Sequence, residues 1–180
     1  MNIKPVENNK SKGKTYTALI HNYNSAMANG YYGEAELIVY AFLEDRLRSF
    51  LYYSNALDSR NSRTINDDMQ SICGRVDSIN NITTKMDIIR KAFRACGDSA
   101  FSDNAYVKEL KKIYKYSLNK TEFKSKLKEI EKWCLYRNQI VHAMFNKDIE
   151  ALRSNYKEHV ERGYQLGRYV DRQVQALKRV

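Results

Sequence analysis

Proline is almost absent from this sequence, and that absence is the first guide to the fold. The single proline, Pro5, lies near the N-terminus of the 180-residue chain. Because proline breaks helices more strongly than any other residue, no later segment carries such a break. Leu, Ala, Lys, Glu and Arg recur at helical spacing, and no alternating strand pattern is visible. The sequence therefore predicts an all-α fold.

Cysteine and histidine are also scarce, with three of each. The odd number of cysteines and the lack of a C-x-x-C pair indicate reduced thiols rather than a disulfide framework. The histidines are scattered, and no Cys or His stands at metal-ligand spacing. We therefore expect no disulfide, no metal site and no cofactor. The residues concerned are Cys73, Cys96 and Cys134, and His21, His142 and His159.

Long apolar runs are missing as well. A membrane-spanning helix needs about 18 or more consecutive apolar residues, and the chain has no such run. Residues 1–14 are polar and lack the apolar centre of a signal peptide. We therefore expect a cytoplasmic protein with no membrane partner. A polar arm is expected at 1–14 and a single helical domain at 15–180, whose core the 43% hydrophobic content can supply.

Helical periodicity predicts about five or six main helices. They are expected at about 15–29, 31–57, 79–96, 104–118, 121–144 and from 146 almost to 180, with a short helix near 68–73 inside a polar loop at 55–77. The second helix is apolar around most of its circumference, which is typical of a central, buried helix. In the last helix, Gly163 and Gly167 lie four apart on one side, where they either admit a close neighbour or weaken an exposed helix.

The predicted helix at 121–144 carries an arginine in the middle of its apolar stripe. At about 100° per residue, Leu127, Ile130, Cys134 and Val141 share a narrow face, and Arg137 falls among them. Asn138 and His142 are four apart and line the flank of that face. A guanidinium rarely lies on a core stripe unless it is paired or functional.

The segment Arg137-Asn138-Gln139-Ile140-Val141-His142 is an R-x4-H motif, and the buried second helix contains Leu43-Glu44-Asp45-Arg46-Leu47. With this order of helices the chain resembles the HEPN superfamily of all-α proteins over about residues 15–175, and the resemblance implies an antiparallel helical bundle. Many members are metal-independent ribonucleases, so the resemblance implies an endoribonuclease, acting as a toxin or an anti-phage effector. Some HEPN toxins carry a modified tyrosine two residues after the histidine. Met144 stands there in this chain, so that form of regulation is not expected.

RNA supplies its own nucleophile, the 2′-hydroxyl, and the motif supplies the remaining chemistry. An imidazole transfers protons near neutral pH, so His142 is the candidate general acid–base. A guanidinium binds two phosphate oxygens at once, so Arg137 is assigned to transition-state stabilisation. Asn138 orients His142 or donates to the phosphate. The expected products are a 2′,3′-cyclic phosphate and a 5′-hydroxyl. The resemblance further implies a homodimer that joins two motif helices in one cleft, and an antitoxin or regulatory protein as a partner.

A basic segment is the candidate RNA-binding surface. The chain has a formal charge of +10, and nine lysines stand against four glutamates between Lys108 and Lys132. Clustered cations attract phosphate backbones, and interleaved tyrosines can stack on bases. The alternative is a solvated lysine face that only keeps the protein soluble. The candidates are Lys108, Lys111, Lys112 and Lys115, with Tyr106, Tyr114 and Tyr116.

Two further interpretations of Arg137 remain open. Glu44, Asp45 and Arg48 form a polar stripe on the second helix, and we expect them to support the motif or to neutralise Arg137. In the latter case the motif is a buried arginine–carboxylate pair that fixes helix packing. The protein would then be a non-catalytic HEPN-like module that binds a protein partner or a nucleotide, or a basic helical protein that binds nucleic acid without cutting it.

Overall fold

The computed structural model describes residues 9–116, 119–143 and 149–179, and its regular structure in these ranges is entirely helical. This confirms the predicted all-α bundle. None of the helices described is long and apolar enough to cross a membrane. The described helices are α1 (Asn9–Ala28), α2 (Tyr32–Tyr53), α3 (Asp67–Cys73), α4 (Ile82–Ala95), a 3-10 turn (Ser99–Phe101), α5 (Ala105–Tyr116), α6 (Lys120–Ala143) and α7 (Ile149–Leu177).

Two helix ends differ from the sequence-based expectation. α1 begins at Asn9, so the described part of the expected N-terminal arm belongs to the first helix. α2 ends at Tyr53 rather than near residue 57, because Asn55 adopts a left-handed conformation with φ of 62°. The amide of Ala56 then donates to the Leu51 carbonyl at 2.9 Å. Such a turn satisfies the last carbonyls of a helix, and asparagine is one of the few residues besides glycine that adopts it readily.

α2 is the central helix and packs against α1, α4 and α7. It runs antiparallel to α1 but parallel to α7, since Glu36 meets Tyr156 and Arg46 meets Asp171 further along both helices. The predicted antiparallel arrangement therefore holds for only some of the helix pairs. α7 is antiparallel to α6, and Trp133 of α6 contacts His159 of α7. The change of direction between α6 and α7 leaves α7 parallel to α2.

The two glycines of α7 mark the close helix approaches that their spacing suggested. A Cβ built on Gly167 would lie 2.6 Å from Cδ1 of Phe42 on α2. A Cβ on Gly163 would overlap the indole ring of Trp133 on α6. Real Cβ atoms do not approach this closely, so both glycines are needed for packing and neither is a weak point in an exposed helix.

Three phenylalanines join α2, α4 and α6 in the core. The ring centroid of Phe123 lies 4.8 Å from that of Phe50 and 5.5 Å from that of Phe93, in edge-on geometry. All three side chains are fully buried. Truncating any of them to alanine is expected to cost about 3–5 kcal/mol of stability.

The loop after α2 is tied to the bundle by Arg48. Its guanidinium donates to the carbonyl of Ser62 at 2.8 Å and to that of Ile79 at 3.4 Å. Asn66 caps α3 by accepting from the amide of Met69 at 3.1 Å. These bonds give Arg48 a structural role at the loop rather than a role beside Arg137.

Candidate functional site

The motif lies in the C-terminal half of α6. This helix is capped at its N-terminus and has buried residues along its length. Asn119 caps the helix by accepting from the amide of Glu122 at 3.1 Å. Leu127 and Ile130 are fully buried, and Ile140 is almost so. Leu127 and Ile130 of the predicted stripe therefore face the core, Cys134 is partly buried, and the side chain of Val141 lies outside the described part of the structure.

Arg137 is half-buried and lies against α2. Its guanidinium carbon is 4.7 Å from the ring centroid of Tyr40, and Nη1 donates to Oδ1 of Asn138 at 3.4 Å. Nε is buried and has no hydrogen-bond partner in the described part of the chain. Within that part no carboxylate forms an ion pair with Arg137, so the guanidinium retains unused hydrogen-bonding capacity.

His142 is exposed, as is Asn138 one turn before it. These two residues share one face of α6 with Leu135 and Gln139, which are also exposed. Leu135 is 59% exposed, which is unusual for a large apolar side chain. The structure thus places Arg137 at the edge of an open surface that ends in His142, about 7–8 Å further along the helix axis.

The carboxylates expected to support Arg137 have other partners. Glu44 accepts from Nζ of Lys85 at 2.9 Å, and the Lys85 side chain is fully buried. Asp45 forms an ion pair with Arg46 and also accepts from the hydroxyl of Tyr16. Neither carboxylate forms an ion pair with Arg137 in the described structure, so these contacts do not support the prediction that Glu44 or Asp45 neutralises it. Their positions on α2 direct them to α4 and α1 instead.

A buried polar cluster near Arg137 was not anticipated from the sequence. Glu36, only 3% exposed, accepts from the hydroxyl of Tyr156 at 2.9 Å and bonds Nε2 of His159 at 3.1 Å. The His159 ring stacks on Trp133 with centroids 5.0 Å apart. An acidic residue within an apolar helix was the available signal, but its partners lie more than a hundred positions away on α7.

Burial dominates the electrostatics around Arg137. It raises the pKa of the Cys134 thiol to about 11, and the positive charge of Arg137 only partly opposes this. Burial also raises the pKa of Tyr40, again against the effect of Arg137. Cys134 is therefore protonated at neutral pH and is not an activated nucleophile.

The four candidate lysines lie on α5, whereas the basic segment continues along α6 to Lys132. Lys108 pairs with Asp103 at 3.1 Å, and Lys112 pairs with Glu109 at 3.0 Å. Lys111 is exposed, while the side chain of Lys115 lies outside the described part of the structure. The last lysine of the segment, Lys132, is exposed and precedes Arg137 by five residues, about 7–8 Å along the helix axis.

The fold and site define this chain as an all-α bundle with an arginine–histidine surface on one helix. In the described ranges, no three His, Cys, Asp or Glu side chains are grouped so that they could hold a metal ion. The chain matches no protein-family model, no curated protein and no solved structure.

Proposed function

We propose that the protein is a metal-independent endoribonuclease of the HEPN type. Arg137 binds the scissile phosphate, His142 transfers the proton, and Asn138 orients one of these groups. Attack by the 2′-hydroxyl breaks the bond to the 5′-oxygen, so the products end in a 2′,3′-cyclic phosphate and a 5′-hydroxyl. The protein would act in the cytoplasm as a toxin or anti-phage effector, restrained by an antitoxin or regulatory protein.

The observation that carries this proposal is that Arg137 has no carboxylate partner among the described residues. Its guanidinium is held on the core stripe by Tyr40, yet no described carboxylate neutralises it. A half-buried cation that no described carboxylate neutralises is costly in a merely structural position, and a bound phosphate would supply a counter-charge. His142 lies exposed on the adjoining face of the same helix, where a substrate can reach it.

The proposal includes a two-fold dimer. One motif supplies one histidine, whereas cleavage needs both a base and an acid. Leu135, Asn138, Gln139 and His142 form the exposed face of α6, and pairing this face with its copy would bring two His142 side chains together. Burial of Leu135, now 59% exposed, would contribute to association.

The catalytic test is cleavage of a fluorescent single-stranded RNA in the presence of EDTA. We expect Arg137→Ala and His142→Ala each to lower the rate by about 100-fold or more. His21→Ala is the matched control, because His21 is also an exposed helical histidine. Mass spectrometry of the fragments should show the cyclic phosphate. Undiminished cleavage by His142→Ala, or equal loss in His21→Ala, would contradict the assignment.

The assembly test uses a charge placed on the α6 face. Leu135→Glu should yield a monomer by light scattering and lose cleavage while keeping its helical circular dichroism. Ser125→Glu introduces the same charge at another exposed position of α6 and should change neither property. A fully active Leu135→Glu monomer would refute the composite site.

Expression should arrest growth, and Arg137→Ala should relieve that arrest.

A second candidate is a non-catalytic binding module, and the same contacts support it. The stacking of Arg137 on Tyr40 is also a packing interaction. Tyr31 and Leu37 on the α2 side, with Leu135 and Tyr136 on α6, are large apolar side chains left exposed. A protein that never cuts RNA, and whose Arg137→Ala variant melts much earlier than the parent, would favour this candidate.

A further inference from the structure

A second polar region lies on the other side of α2, away from Arg137. It is a cavity of about 360 Å³ between α1, α2, the loop after α2 and the end of α7. Tyr16 lines it from α1, and four cations surround it: Arg46, Arg60, Arg168 and Lys178. Pockets that hold small ligands usually begin at about 300 Å³, so the size is sufficient for a small molecule.

Among the described residues that line the cavity, the carboxylate is that of Asp171, which pairs with Arg46. Arg46 is only 3% exposed and forms ion pairs with both Asp45 and Asp171. Arg60, Arg168 and Lys178 form no ion pair with any carboxylate in the described residues. Among the described residues, the lining of the cavity therefore carries an excess of positive charge, on Arg60, Arg168 and Lys178.

Arg46 and Arg60 are held close together in the cavity, whereas Arg168 and Lys178 are exposed at its rim. Nη2 of Arg46 and Nη2 of Arg60 both donate to the same hydroxyl, Oγ of Ser49, at 3.2 and 3.1 Å. Nε of Arg60 is buried and has no hydrogen-bond partner in the part of the chain that is described. Burial lowers the pKa of Lys178, the charges of Arg46 and Arg60 lower it further, and those of Asp171 and Asp45 oppose this effect. Like charges brought together in this way repel one another, and a further anion bound among them would reduce that repulsion.

A tyrosine ring fixes two of these cations. The Lys178 ammonium lies 5.0 Å and the Arg60 guanidinium 5.9 Å from the ring centroid of Tyr53. Both distances are within the range of cation–π attraction. The cations are thus positioned by the fold before any ligand arrives, which lowers the entropy cost of binding.

We propose that this cavity is a binding site for a phosphate group, with Arg60, Arg168 and Lys178 as its cationic ligands. A guanidinium matches two phosphate oxygens at once, and an ammonium adds a compact third charge. The remaining volume accommodates the group that carries the phosphate. The site is separate from the surface formed by Arg137 and His142 and does not depend on it.

The test is isothermal titration of the full chain with pyrophosphate at constant ionic strength. We expect saturable binding of one equivalent per chain. Arg60→Gln, Arg168→Gln and Lys178→Gln should each weaken it by about tenfold or more, as for loss of one charged hydrogen bond. Arg172→Gln is the matched control, because Arg172 is exposed one turn beyond Arg168 on α7 but does not line the cavity. No saturable binding, or equal weakening by Arg172→Gln, would overturn the proposal.

Two further measurements identify the source of the phosphate and guard against misfolding. A short RNA with a 5′-phosphate that binds more tightly than pyrophosphate, while its 5′-hydroxyl form does not bind, would assign the site to an RNA end. Binding of pyrophosphate alone would assign it to a small phosphorylated molecule.

Without ligand, the three variants should melt at or above the parent temperature, because each removes a repelling charge. If all three melted several degrees lower, the cations would hold the fold and the proposal would fail.

Discussion

Removing the carboxylate of Glu44 should destabilise the protein through Lys85, not through the motif. Nζ of Lys85 donates to Glu44 at 2.9 Å and to the Asn81 carbonyl at 3.3 Å, and the Lys85 side chain is fully buried. Glu44→Gln leaves this ammonium buried without a counter-charge. Breaking a buried pair costs about 3–5 kcal/mol, and the lower end applies because Glu44 is 32% exposed. For a chain of this size, about 3 kcal/mol corresponds to a melting temperature roughly 6–12 °C lower.

The pH dependence of that loss identifies its cause. Burial lowers the pKa of Lys85 below its ordinary value of 10.5, and the hydrogen bond and charge of Glu44 oppose this effect. Glu44→Gln removes the opposition, so the pKa in the folded state falls further. Between the folded and unfolded pKa values the unfolded chain binds more protons, and stability therefore increases with pH through that interval. The deficit of the variant should be largest near neutral pH and should shrink as the pH approaches 10.

Urea unfolding followed by circular dichroism at pH 7 and pH 9.5 measures both effects. Asp87→Asn is the control, since Asp87 pairs with Lys91 on the surface of the same helix as Lys85. That change should cost at most about 0.5 kcal/mol at either pH. The double variant Glu44→Gln/Lys85→Met should recover most of the lost stability. A Glu44→Gln deficit under about 1 kcal/mol, or one that does not change with pH, would refute the reasoning.

Two other predictions concern packing and thiol chemistry. Gly167→Ala should lower the free energy of unfolding by about 1–3 kcal/mol, because its Cβ would lie 2.6 Å from Cδ1 of Phe42. Gly13→Ala meets nothing within 4 Å and should be neutral or stabilising by up to about 1 kcal/mol, so equal melting temperatures for the two variants would contradict this packing. Burial raises the pKa values of Cys73 and Cys134 to about 11, so both thiols should react slowly with a disulfide reagent at pH 8 and faster as the pH approaches 11. Rapid reaction of the folded protein at pH 7 would show that they are not protected.

The helices and their buried faces were accessible from the sequence. Helical periodicity is a local property, so α6 could be recognised with Arg137 on its apolar stripe, and the positions of Leu127 and Ile130 in the core follow from the same pattern. The spacing of Gly163 and Gly167 also indicated close packing, although it did not identify Trp133 and Phe42 as the partners.

The choice of partner for each buried charge was decided only by the tertiary structure. From the sequence, Glu44 was as plausible a counter-charge for Arg137 as any other acid, but the parallel packing of α2 and α4 places it beside Lys85 instead. Glu36 meets Tyr156 because α7 runs parallel to α2, a direction that no local pattern encodes. Amphipathic periodicity states which side of a helix is buried, whereas the identity of the helix that covers it depends on how the whole chain is threaded. The sequence alone therefore determined an all-α chain with an arginine in its core stripe, and the packing of its helices determined which charges are paired and left Arg137 without a described carboxylate partner.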